Sequence, residues 1–148
     1  MAMNMPRDPA GSTLSYTKEP SERSRPRRHP LLCLVLECHR PLAPPVCFAL
    51  DDIEEVVLGR GKTRTFRRMA DHPRRLEVRL EDERMSSQHA RLSRCKGGWL
   101  VQDTESKNGS FVNGMKQSEA RLAEGDIIEL GHSFFRFRQS SVPNSQNC

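Results

Sequence analysis

Four short stretches of this chain hold the residues with most to offer chemically. Gly59-Arg60 sets a guanidinium at the end of an apolar run, and Ser86-Ser87-Gln88-His89 places hydroxyls close to an imidazole. Ser106-Lys107-Asn108-Gly109 and Asn113-Gly114 add an ammonium, amides and turn-forming glycines. Taken singly, each has a plain structural reading: Arg60 as a solvated loop arginine, His89 as an internal hydrogen-bonding histidine, the two Asn-Gly pairs as turns. Catalytic readings fare worse. Gly61-Lys62-Thr63 has the tail of a nucleotide-binding loop, but that motif needs a glycine five residues earlier, where the chain has Val56, and no apolar-faced helix follows. Ser86, His89 and Asp103 form a nominal nucleophile set with no G-x-S-x-G elbow. Cys38, His39 and Cys47 lack an evident fourth metal ligand. The chain therefore reads as no enzyme, with no cofactor and no metal.

The elements that must position these residues are short strands. Leu31–Glu37 is apolar and β-compatible, and Pro41, Pro44 and Pro45 break it before Val46–Leu50. Val56–Leu58 ends at Gly59, and Leu76, Val78 and Leu80 alternate with Glu77, Arg79 and Glu81, the period-two pattern of a half-buried strand. Ala90–Ser93 and Trp99–Gln102 flank Lys96-Gly97-Gly98, a hairpin signal. Ser110–Val112 and Met115 flank Asn113-Gly114, the dipeptide favoured where both turn residues take positive φ. Ile127–Leu130 and Phe134–Phe137 close the set around Gly131. No segment has a convincing helical period. About ten strands with turn signals every few residues predict an all-β sandwich.

Composition bounds the rest. The chain has 148 residues, 35% hydrophobic, with 24 Lys+Arg against 19 Asp+Glu and a net charge of +5. That length suits one domain of ordinary size. No apolar run approaches the ~20 residues that a membrane-spanning helix needs, and the N-terminus has no secretory pattern. Cys33, Cys38, Cys47, Cys95 and Cys148 are scattered with no C-x-x-C pair, so they read as reduced thiols in a cytoplasmic protein. Residues 1–30, rich in Pro and Ser and carrying Arg23, Arg25, Arg27 and Arg28, read as a disordered basic leader. Residues 140–148 read as a flexible tail, which leaves 31–139 as the folded domain.

In this order and spacing, the motifs resemble the forkhead-associated (FHA) domain. The resemblance runs from about Leu31 to Phe137. It rests on Gly59-Arg60, on S-x-x-H as Ser86–His89, on D-x-x-S-x-N-G-(S/T)-x-x-N-G as Asp103–Gly114, and on L-x-x-G-D-x-I-x-L-G as Leu122–Gly131. It implies a β-sandwich of about eleven strands of the FHA/SMAD-like kind, with recognition loops at one end that bind a phosphothreonine peptide. A phosphothreonine brings about −1.5 to −2 charges and three acceptor oxygens, which a guanidinium, hydroxyls and N–H groups from separate loops can hold. By the resemblance, Arg60 supplies the guanidinium and Ser86 donates its hydroxyl. Ser87 adds its N–H or hydroxyl, Lys107 reaches the phosphate with its ammonium, and Asn108 bonds the peptide backbone. Gly59, His89, Asn113 and Gly114 are implied to be structural.

The pattern has departures. Ser87 and Gln88 stand where many relatives carry Arg or Lys, Lys107 where the family has Thr or another donor, and Ser110 where Thr is commoner. The stretch from Gly61 to Arg75 is long for a connection and sets Lys62, Arg64, Arg67, Arg68, Arg74 and Arg75 against Asp71 alone. As a loop starting beside Arg60, it is expected to lie near the phosphate site and to steer acidic or multiply phosphorylated partners. The partner expected is a phosphothreonine protein made by a Ser/Thr kinase, with self-association through a phosphorylated Thr13 or Thr17 as a variant. Arg84–Arg91 is similar to bacterial FHA domains fused to sigma-54-dependent transcription activators. The alternative is a basic β-domain holding nucleic-acid backbone non-specifically. Against it, aromatic residues are only 5% of the chain and leave few stacking platforms.

Overall fold

The computed structural model describes residues 28–140, and the expected leader and tail lie outside it apart from the residues that border the fold. Along the chain run β1 (His29–Glu37), β2 (Val46–Ala49), β3 (Glu55–Arg60), β4 (Thr65–Met69), β5 (His72–Leu80) and β6 (Ala90–Cys95). They are followed by β7 (Gly98–Asp103), β8 (Ser110–Val112), β9 (Met115–Lys116), β10 (Glu119–Arg121), β11 (Ile127–Leu130) and β12 (Ser133–Ser140). Among the described residues there is no helix, hence none long and apolar enough to cross a membrane. The strands form two six-stranded sheets, β2-β1-β12-β11-β8-β9 and β10-β7-β6-β3-β5-β4. Every pairing is antiparallel except β3 with β5. The result is the expected all-β sandwich, with twelve strands.

Period-two alternation builds the core. Leu32 and Leu34 of β1, Ile128 and Leu130 of β11, and Phe135 and Phe137 of β12 face Val56 and Leu58 of β3, Val78 and Leu80 of β5, Leu92 of β6, and Trp99 and Val101 of β7. Each fully buried side chain of this kind contributes ~1.5–3 kcal/mol. Arg60 shares the face of Val56 and Leu58 but lies one pleat further on, so it emerges exposed at the rim instead of in the core.

Two expectations are corrected here. The Gly61–Arg75 stretch is not a loop over the phosphate site: it holds β4 and the start of β5, an antiparallel pair at the edge of the second sheet. The parallel register sets Glu55 beside Arg75 and Arg60 beside Leu80, so the basic hairpin runs away from the rim toward the opposite end of the sheet. Its arginines meet acids: Arg67 with Glu77 (3.0 Å), Arg68 with Asp52 (2.8 Å), Arg74 with Glu54 (2.6 Å) and Arg75 with Glu55 (2.8 Å). Arg64, nearer the rim, donates to both oxygens of the buried Glu37 and stacks 4.9 Å from the Phe66 centroid. Composition marked six cations as free; the fold compensates five of them with partners from elsewhere in the chain.

The second correction concerns the thiols. Cys33 and Cys47 form a disulfide, because the antiparallel register of β1 and β2 places them directly opposite one another. Their wide spacing in sequence hides a pairing that only register creates. Cys38 and Cys95 are free. At the same side of the sandwich, Phe48 of β2 packs edge-on against Phe66 of β4, with ring centroids 5.0 Å apart.

Candidate functional site

The loop between β5 and β6 is the hub of one end of the sandwich, and its shape follows from local sequence. The three-residue spacing of Ser86 and His89 lets the imidazole turn back and accept the Ser86 N–H at Nδ1 (3.0 Å). Its other nitrogen, Nε2, then carries the hydrogen and donates to the Gly109 carbonyl (2.8 Å). With His89 fully buried, the ring ties the β5–β6 loop to the β7–β8 loop and has no face left for a ligand. The Arg60 N–H donates to the Ser86 carbonyl (2.9 Å), which joins the end of β3 to the same loop.

Gly59 is needed because of close approach. The Ser87 carbonyl lies directly over its Cα, where any Cβ would collide with it. Arg79 locks that carbonyl in place: its Nη1 donates to Ser87 O and, at 3.3 Å, to Arg60 O. Glu77 holds the other side of the Arg79 guanidinium and also receives Arg67. Burial alone would push the Glu77 carboxyl upward, but hydrogen bonds from Arg67 and Arg79 hold it below the ordinary carboxylate range.

The β7–β8 loop is organised by Asp103. Burial disfavours its charge, yet the Ser106 and Ser110 hydroxyls and the Ser106 N–H donate to it and keep its pKa below the ordinary value. Ser106 Oγ in turn accepts the Gly109 N–H (2.9 Å). This wiring presents the next two residues to the hub: the Lys107 N–H donates to Ser86 Oγ (2.9 Å), and Asn108 Nδ2 donates to the Arg84 carbonyl (2.9 Å). The Asn108 amide oxygen and the Ser86 hydroxyl hydrogen keep their capacity for a ligand.

The structure thus brings Arg60, Ser86, Ser87, Lys107 and Asn108 around one loop. Asn113 and Gly114 stand apart as a turn with φ of 52° and 84°, and the Asn113 amide bridges Asp126 and the Ile127 N–H. Two supporting residues, Arg79 and Asp82, carry no signal in the sequence. Arg79 looks like any outward strand residue. Asp82, buried between the loop and the β11–β12 turn, accepts from the Arg84 N–H, the His132 N–H and the Ser133 hydroxyl. Asp103 was visible in its motif, and the two serines at its fixed offsets were the signal of its role.

Comparison with known proteins settles the family. The FHA domain family model matches residues 56–131, about half of the chain. This chain belongs to the FHA domain family. FHA domains are interaction modules. An FHA domain-containing protein of Arabidopsis thaliana is 33% identical over 58 residues, 37% of this chain and 15% of that relative. The FHA domain-containing protein FhaA of Mycobacterium tuberculosis is 34% identical over 77 residues, 52% of this chain and 12% of its own length. The chain thus spans only a small part of the curated relatives it matches. Among solved structures, one described as a structural and functional analysis of phosphothreonine-dependent FHA domain interactions superimposes with a TM-score of 0.57 at 26% identity. That match covers 77% of this chain and 99% of the other.

Proposed function

We propose that this FHA domain is a non-catalytic module that binds a phosphothreonine segment of a partner protein, tethering it only after a Ser/Thr kinase has acted. The observation that carries the reading is the state of Ser86: its hydroxyl oxygen accepts the Lys107 N–H, so its own hydrogen is left to donate outward beside the exposed Arg60. On this reading Arg60 and Ser86 hold the phosphate, with Lys107 and Ser87 adding an ammonium and an N–H or hydroxyl. Asn108, fixed by Arg84, offers its amide oxygen to the peptide backbone. Charge-assisted bonds contribute ~1.5–3 kcal/mol each, and after the cost of ordering an extended peptide the affinity expected is about micromolar, about −8 kcal/mol. A small apolar niche for the γ-methyl would favour phosphothreonine over phosphoserine. Because the second phosphate pKa is about 6, binding weakens as pH falls through that region.

The finer setting we infer is phosphorylation-dependent signalling in transcription regulation, on the similarity of Arg84–Arg91 to FHA domains of sigma-54-dependent activators. Its place is the cytoplasm, where thiol reductants would meet the disulfide at the exposed Cys47. Thr13 and Thr17, in the part of the chain outside the described residues, are candidate phosphorylation sites for self-association.

A fluorescence titration of a phosphothreonine peptide, its unphosphorylated twin and a short DNA duplex tests the reading. Micromolar binding of the phosphopeptide alone is expected, lost in Arg60→Ala and Ser86→Ala with native circular dichroism retained. Binding of the duplex alone would replace it with the nucleic-acid alternative.

A further inference from the structure

The Asn113-Gly114 turn has a consequence at the rim beyond its own hairpin. It folds β9 back along β8, pairing Lys116 with Phe111, and this lays the Lys116 side chain across Gly109. A Cβ at position 109 would come within 2.7 Å of Lys116 Cε and 3.4 Å of Cδ, so the stem lies directly on the glycine, whose φ of +89° already disfavours any side chain there. The surface under it is fixed, because the Gly109 N–H and carbonyl are both held, by Ser106 and His89. A lysine whose methylenes are supported in this way carries its ammonium at a set place while the head stays solvated.

The distribution of ion pairs points the same way. Among the described residues, Arg64, Arg67, Arg68, Arg74, Arg75 and Arg79 each meet a carboxylate. No such partner is found there for Arg60, Lys62, Arg84, Lys107 or Lys116, all exposed and on the segments near the proposed site, nor for the exposed Arg40, Lys96, Arg121 and Arg136 elsewhere. What sets Lys116 apart from those four is its stem lying on Gly109, in the loop that carries Lys107 and Asn108. Cations gathered without counter-acids repel one another in the free domain, and an anionic ligand relieves that repulsion. One phosphate engaged by Arg60 and Ser86 leaves Lys116, whose stem lies on Gly109, the residue after Asn108, without an anion.

We propose that Lys116 forms a second anion subsite. It reads a phosphate or carboxylate on the bound peptide at a position flanking the phosphothreonine. The inference rests on the phosphothreonine reading of the main site. The structure thereby moves anion selection from the basic hairpin, whose arginines are compensated, to a single lysine on β9.

The test uses one phosphothreonine peptide in which Ala, Glu or phosphoserine is placed in turn at each of the flanking positions. Each is titrated by fluorescence anisotropy against the parent domain, Lys116→Ala, Lys116→Gln and Lys116→Glu. At low salt, one flanking position should show binding about threefold tighter with a second anion than with Ala, the size expected of an exposed ion pair, and high salt should erase the gain. The ratio should be about one in Lys116→Ala and in Lys116→Gln, which keeps a stem over Gly109, and should invert in Lys116→Glu. The Glu and phosphoserine arms distinguish a carboxylate from a phosphate as the group read. A ratio of one at every position in the parent, or a gain retained in Lys116→Ala, overturns the subsite and leaves the main site standing. Failure of the singly phosphorylated peptide to bind the parent would instead overturn the phosphothreonine reading, and the subsite with it.

Discussion

The proposed recognition end and the β4–β5 hairpin are both rich in cations, and they use them differently. In the hairpin, Arg67, Arg68, Arg74 and Arg75 face Glu77, Asp52, Glu54 and Glu55. The acids come from β5 itself, from the segment leading into β3 and from the first residue of β3, so the two signs stitch neighbouring chain segments together. At the proposed recognition end, Arg60 and Lys107 contribute backbone N–H groups to the loop network and leave their charged heads exposed. A count of basic residues ranks the hairpin first as an anion site, whereas pairing ranks it last. The fold has already supplied a counter-charge to the hairpin arginines and not to Arg60 or Lys107.

The sharpest way to break this contrast is a pair of substitutions of equal charge. Arg60→Ala should weaken phosphothreonine-peptide binding by about a hundredfold or more, since it removes two charge-assisted bonds at ~1.5–3 kcal/mol each. Arg74→Ala, measured by the same titration, should change it by less than about twofold. Comparable losses from both would mean that the hairpin charges do reach the ligand.

A smaller effect, on stability, should separate the buried wiring of the rim from its exposed heads. His89→Ala removes a fully buried ring and two hydrogen bonds, leaving the Ser86 N–H and the Gly109 carbonyl without partners. It is expected to cost ~2–4 kcal/mol by urea denaturation and to weaken peptide binding through a loosened loop. Unchanged stability would show that the two loops hold their positions without it.

Acid should act on the same wiring. The Asp103 carboxyl is held below its ordinary value of 3.8 in the folded state, so its contribution is present above that value and is lost as pH falls through the lower folded one. Thermal melts in the acid range should therefore show stability falling, and Asp103→Asn should flatten that fall while lowering stability at neutral pH. An acid limb of the same slope in the variant would count against it. The smallest change belongs to the hairpin surface. Arg68→Ala breaks an exposed, solvent-screened pair with Asp52 and should leave the urea midpoint essentially unchanged, with no effect on binding.

The motifs of the site were legible in the sequence because their bonds close locally. His89 reaches back three residues to Ser86, Ser106 reaches back three to Asp103, and Asn113-Gly114 needs only its own backbone angles. Those contacts follow from the spacing of residue types, whatever the rest of the chain does. Strands with a clear inward face, such as Leu76–Leu80 and Ile127–Leu130, were legible for a similar reason. Thr65–Met69 was not: its mixed pattern has no strong period, and it is a strand because β5 pairs with it.

What tertiary structure alone decided depends on register between distant segments. Cys33 meets Cys47 through the β1–β2 ladder. Arg64 finds Glu37 across 27 residues, Asp82 finds Ser133 across 51, and Lys116 comes to lie on Gly109. A one-residue slip would turn each strand's side chains to the other face and undo every one of these pairs. The sequence determined which residue types can grip a phosphate and the turns that present them. The packing of two sheets decided which charges were cancelled and which were left for a ligand, because counter-charges come from residues adjacent in space and remote along the chain.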